Sequence, residues 1–140
     1  MTFLLDTNVV SEFMKPKPDQ NVLHWLENAD EDITFMSVVS LAELRHGIEL
    51  LDAGRRKSAL HSWLSEHLPE RFAGRILAID SVIADQWGRL SAAARRQGIG
   101  LQVMDGFIAA TALAHSHVVV TRNTRDFQRL DIAVVNPWQA

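Results

Sequence analysis

The sequence predicts one α/β domain, residues 1–140, with a mainly parallel sheet covered by helices on both faces. Three observations predict it. Short β-branched or aliphatic runs alternate with segments of 3.6-residue periodicity. Runs such as Val118-Val119-Val120 are apolar throughout, as strands buried on both sides require. The 140 residues are 47% hydrophobic and 22% charged, enough for one compact core, with no internal repeat, low-complexity tract or linker.

Thr2 to Leu5 reads as the first strand. Pro16 and Pro18 mark a loop between two early helices. Ile33 to Val39 reads as the second strand, followed by a helix with the stripe Leu41, Leu44, Ile48 and Leu51. A second stripe, Leu60, Trp63, Leu64 and Leu68, leads to a third strand over Arg75 to Ile79. Ile83, Trp87, Leu90 and Ala94 form the next helical face, and Gly98 and Gly100 stand where its C-cap belongs. A helix running on from Gly106 leads into the strand Val118 to Thr121. Ile132 to Val135 is the fifth strand, ended by Pro137.

Composition narrows the function. With no cysteine, a disulfide framework and a thiolate metal site are both excluded, in keeping with a reducing compartment. No basic region precedes an apolar run at the N-terminus, and no stretch approaches the ~20 apolar residues that span a bilayer. A soluble cytoplasmic protein with no membrane partner is expected. The net charge of −3 looks wrong for a protein that meets a polyanion. Setting aside four acidic residues that a cation would mask leaves 13 acids against 14 bases, so the objection lapses.

Those four residues follow from topology. Open α/β sheets bind ligands beyond the carboxyl ends of their strands. Asp6 directly follows the first strand, and Glu43 is expected in the first turn of the helix after the second. Asp105 precedes the Gly106 helix, and Asp126 lies just past the fourth strand. All four can converge on one rim. Carboxylates gathered without counter-charges raise one another's pKa, and a hard cation relieves the repulsion. Oxygen ligands without Cys or an obligatory His favour Mg²⁺ or Mn²⁺, and such a site suits phosphodiester hydrolysis. Thr7 and Asn8 are candidates to orient Asp6 or a water at the metal, and Thr121 and Asn123 to do the same beside Asp126. Arg122 and Arg125 bracket Asn123 and are placed to touch phosphate. Each acid also has a local reading: Asp6 and Asp105 as helix N-caps, Ser40-Leu41-Ala42-Glu43 as a capping box, Asp126 as a turn residue. Asp80 with Ser81 is read only as a helix start.

Four segments together resemble the PIN-domain ribonucleases, and within them the VapC toxins of bacterial toxin–antitoxin pairs, particularly the FitB-like branch. They are Leu5-Asp6-Thr7-Asn8, Ser37 to Leu44, Asp105 to Ala112 and Val120 to Phe127, with Asn136-Pro137-Trp138 resembling the family's usual ending. The resemblance implies a three-layer α/β/α fold with a central parallel sheet of about five strands. It implies acidic metal ligands, and so a catalytic centre, at Asp6, Glu43, Asp105 and Asp126. It also implies Mg²⁺- or Mn²⁺-dependent endoribonuclease activity on RNA, and an antitoxin whose C-terminal segment occupies the groove while its N-terminal part binds operator DNA. A homodimer, assembling further with antitoxin, is implied as well. Met104 departs from the small residue expected before the third acidic motif.

Rival readings remain. Asp6-Thr7-Asn8-Val9 after a strand is similar to the aspartyl-phosphate phosphatases, but their second Asp is replaced by Asn8. Glu43-Leu44-Arg45-His46 has the spacing of one di-iron ligand pair, where two are needed. Trp25, Trp63 and Trp87 lie on apolar stripes and read as core or dimer contacts. A non-enzymatic alternative is a dimeric platform that co-represses its operon together with a DNA-binding antitoxin.

Overall fold

The structure, a computed structural model, describes residues 1–139. In chain order the elements are β1 (Phe3–Leu5), α1 (Thr7–Val10) running into a 3₁₀ turn at Ser11–Met14, α2 (Gln20–Asn28), β2 (Thr34–Ser37) and α3 (Val38–Glu49). Then come α4 (Arg55–Ser62), continued through a π turn into α5 (Leu68–Arg71), and β3 (Ile76–Leu77). The chain closes with α6 (Ser81–Arg96), α7 (Val103–His115), β4 (Val118–Val120), α8 (Thr124–Gln128) and β5 (Val134–Val135).

All strand pairs are parallel and the order is β3-β2-β1-β4-β5. The first strand is therefore the middle of the sheet, held by the registers Phe3↔Thr34 and Leu5↔Val120. Period-two alternation sends neighbouring side chains to opposite layers. Leu5 and Val120 pack with Val9, Val10, Met36, Leu44, Ile48 and Leu64 on one face. Leu4 and Val119 pack with Ile108, Ala109, Ala112 and Phe127 on the other. This double burial explains why the strands read as unbroken apolar runs. Connections leave β1 toward β2 on one side and return through β4 on the other, so a crevice opens at the carboxyl end of β1.

Each strand is shorter than its apolar run. The difference that matters for the site is at Ile33 to Val39, where β2 ends at Ser37 and Val38 and Val39 begin α3. The Ser37 hydroxyl accepts the Val39 N–H at 3.0 Å and starts the helix there, overriding the strand preference of two valines. Ser40 is thus an interior residue and no capping box forms. At the far end of α6 the reading of Gly98 holds. With φ of +73° it occupies the left-handed position, and Ile99 N–H reaches Ala94 C=O at 2.8 Å while Gly98 N–H reaches Arg95 C=O at 3.1 Å. Asp80 caps α6 through the Ile83 N–H at 2.9 Å.

Helices α6 and α7 pack closely. Trp87 stacks on Phe107 with ring centroids 5.1 Å apart and planes 15° from parallel. A Cβ added at Gly106 would lie 2.8 Å from Trp87 Nε1 and 3.1 Å from Cδ1. Gly106→Ala must therefore push the indole off its stack, and we expect a loss of about 1–3 kcal/mol. Thermal unfolding checks this: an unchanged melting temperature would mean that the indole moves at no cost.

Candidate active site

Asp6 is held by both the sheet and α1. Its N–H continues the ladder to Val120 C=O at 2.9 Å, and its carboxylate caps α1, Oδ1 accepting from Thr7 N–H at 2.8 Å. Oδ2 accepts from the buried Thr121 hydroxyl at 2.8 Å. The helix-cap reading and the active-site reading of Asp6 are thus both met by one side chain, through different oxygens. Asp6 is only 3% exposed. Burial pushes its pKa up from 3.8 to about 6; the bonds from Thr121 and Thr7 oppose this, and the charges of Asp105 and Glu43 add to it.

Glu43 lies in the second turn of α3, not the first, because the helix begins two residues earlier than Ser40. Its Oε1 accepts the Thr7 hydroxyl proton at 2.7 Å. Thr7 has one such proton, so in its 2.8 Å contact with Ser40 the Ser40 hydroxyl is the donor. This Ser40–Thr7–Glu43 chain ties α3 to α1. Asp105 stands in the first turn of α7, which starts at Val103, so Asp105 is not the N-cap. Its pKa is raised by burial first, then by Glu43 and Asp126. Asp126 is an exposed residue within α8 rather than a turn residue. With Asp105 it lines a cavity of about 90 Å³ bounded by Ile99, Gly100, Leu101 and Gln102.

The orienting residues are arranged differently from expectation. Thr7 serves Asp6 with its backbone N–H and Glu43 with its hydroxyl. Thr121 serves Asp6, not Asp126, because its hydroxyl turns inward from the end of β4. Asn123 acts through its backbone N–H, which donates to Thr121 Oγ1 at 2.9 Å. Asn8 Oδ1 is buried without a hydrogen-bond partner. Arg122 and Arg125 are exposed, and the Arg122 guanidinium lies 5.2 Å from the centre of the Trp138 ring. Ser40 is a member that the sequence hid, since its spacing to Glu43 had a simpler explanation as a cap.

Among the described residues none of the four carboxylates takes part in an ion pair. Nor do any three His, Asp or Glu side chains approach closely enough to hold an ion by themselves. The mutual charge effects among Asp6, Glu43, Asp105 and Asp126 are what a hydrated cation lying between them would relieve. Mg²⁺ commonly takes one or two carboxylates, waters and substrate oxygens rather than a full protein cage.

Residues 3–133 match the PIN domain family. The chain belongs to that family. Among PIN-domain relatives, Toxin FitB of Neisseria gonorrhoeae is 42% identical over 135 residues, covering 96% of this chain and 97% of FitB. VapC ribonuclease Y4jK of Sinorhizobium fredii is 36% identical over 136 residues, covering 97% of each. The structure of FitAB bound to an IR36 DNA fragment contains a chain 39% identical to this one, with a TM-score of 0.91, over 98% of this chain and 96% of that one. The α/β/α layering and five-stranded parallel sheet are those of a PIN domain.

Proposed function

We propose that this PIN-domain protein is a Mg²⁺- or Mn²⁺-dependent endoribonuclease, the toxin of a toxin–antitoxin pair, built as one domain over residues 1–140. The observation that carries the proposal is the rim of carboxylates without an ion pair, in which Asp105 acts electrostatically with Asp6, Glu43 and Asp126 and the buried Asp6 has its pKa pushed up to about 6. The nuclease class follows from the family, and RNA as substrate is supported by the ribonuclease name of a relative aligned end to end.

Asp6, Glu43, Asp105 and Asp126 would hold the ion. When bound, it supplies polarisation of the phosphodiester, charge neutralisation and a water of lowered pKa. The remaining work falls to the chain. The Thr121 hydroxyl and Thr7 N–H fix Asp6 from two sides in one orientation. Ser40 and Thr7 fix Glu43 in the same way. Arg122 and Arg125 offer the phosphate contacts that keep an RNA strand in register.

A cognate antitoxin completes the proposal. Its C-terminal segment would fill the groove, and operator DNA would be reached only through that partner, as part of a homodimer-based assembly. The FitAB complex on DNA supports this arrangement and also the second reading, a platform that represses. No described helix is long and apolar enough to cross a membrane; a cytoplasmic location is part of the proposal.

The test is incubation of a mixed RNA pool with the protein and Mg²⁺ or Mn²⁺, followed by sequencing of the new ends. Cleavage at defined sites, abolished by chelator and blocked by the antitoxin's C-terminal peptide, is the expected result. Intact RNA in every metal would overturn the enzymatic reading and leave the platform. Undiminished cleavage with the peptide demonstrably bound would overturn the mode of inhibition.

A further inference from the structure

Trp138 has no part in the site described so far, yet it stands on the same rim. The strands are parallel, so the segment after β5 emerges where Asp6 follows β1 and Thr121 follows β4. There Asn136 Oδ1 accepts the Trp138 N–H at 2.9 Å, and Asn21 on α2 donates to the Trp138 carbonyl at 3.0 Å. The half-buried indole packs against the core cluster that includes Leu5 and Val120. Its placement is fixed from three directions.

The Arg122 guanidinium lies 5.2 Å from that ring's centre, within cation–π range. Arg122 is also the one residue between Thr121, which holds Asp6, and Asn123, which holds Thr121. Its backbone is therefore anchored to the carboxylate site and its charge to the indole. An exposed arginine normally loses considerable rotamer freedom on taking a phosphate. One already resting on an aromatic face loses less, and its planar donors stay free along the edge.

We propose that Trp138 is a positioning residue, whose indole holds Arg122 as a preorganised phosphate clamp for the RNA strand entering the carboxylate site. The proposal rests on the ribonuclease reading for its substrate. Its own readout is binding, which stays measurable if cleavage fails.

The experiment measures binding of a fluorescent single-stranded oligoribonucleotide as a function of salt, and cleavage where it occurs. It compares wild type with Trp138→Leu, Trp138→Phe, Arg122→Ala and the Trp138→Leu/Arg122→Ala double variant. Arg122 is exposed, so Arg122→Ala probes the clamp without disturbing the core, and melting temperatures identify any variant that fails to fold. We expect Trp138→Leu to weaken RNA binding by about three-fold, with a matching rise in KM and kcat within two-fold of wild type. Trp138→Phe should recover most of the loss. Arg122→Ala should flatten the salt dependence by about 0.7 in log–log slope, one phosphate contact. The double variant should bind no more weakly than Arg122→Ala alone. Additive losses in the double variant, or a Trp138→Leu defect confined to kcat, would overturn the clamp even where wild type cleaves RNA well. Coupled binding without cleavage would sustain the clamp while refuting the ribonuclease. Failure of wild type to bind RNA at all would refute both.

Discussion

Asp6→Asn should reduce RNA cleavage by at least about a hundred-fold while making the metal-free protein more stable. Loss of residues that merely orient metal ligands costs about 10- to 100-fold, and Asp6 is placed to be a ligand itself. The stability gain follows from its burial. Asp6 is 3% exposed, has no cationic partner, and has its pKa raised from 3.8 to about 6. At pH 7 its charge therefore costs the folded state about 3 kcal/mol. An Asn side chain has the same shape and can still accept from Thr7 N–H, so it removes the charge and keeps the cap; its amide nitrogen cannot accept from the Thr121 hydroxyl, and loss of that bond offsets part of the gain. The melting temperature of the metal-free variant should rise by several degrees. A variant inactive but less stable than wild type would point to a damaged fold instead. One active and unaltered would remove Asp6 from the mechanism.

The second large effect is the exchange of protons for metal. For Asp6 the folded pKa lies above the unfolded one, so the folded state binds more protons between about pH 4 and 6. Its contribution to stability is therefore lost as pH rises through that interval, and Asp105, also raised, acts in the same direction. Metal-free protein should melt at a higher temperature near pH 5 than at pH 7, and Asp6→Asn should reduce that difference. A bound cation reverses the cost. At a hundred times its Kd, Mg²⁺ or Mn²⁺ adds about 2.7 kcal/mol at pH 7, several degrees for a chain of this size. That gain should shrink at pH 5 and in Asp105→Asn. Calorimetric scans at pH 5, 6 and 7, with chelator or with Mn²⁺, decide the matter. A wild-type melting temperature indifferent to Mn²⁺ at pH 7 would sink the metal site.

The layered α/β fold is legible because its strands are buried on both faces and its helices carry clear stripes. The boundaries are less so. Val38 and Val39 look like strand, and only the Ser37 side chain turns them into a helix start. That shift moves Glu43 from a capping position to the second turn, where it can meet Thr7. The four acids are visible because each follows a strand or opens a helix. Their supports are hidden, because a hydroxyl's direction depends on contacts far along the chain. Thr121 reads as a neighbour of Asp126 but turns to a carboxylate 115 residues away. Ser40 is hidden behind a capping-box pattern, and its bond to Thr7 spans 33 residues. The Trp138 stack on Arg122 depends on where β5 ends, which a two-residue strand barely announces.

The central position of β1 has a consequence for how the protein is made. β1 leaves the ribosome before its two neighbours in the finished sheet, β2 and β4, and β4 follows it by more than a hundred residues. Until Val118–Val120 emerges, β1 has an open edge and Asp6 lacks both its ladder bond to Val120 and the Thr121 hydroxyl. Asp126 follows later still. A nascent chain therefore carries three of the four acids but no finished centre. The carboxylate centre is therefore assembled only after the segment from β4 through α8 has been added, more than a hundred residues after the strand that carries Asp6.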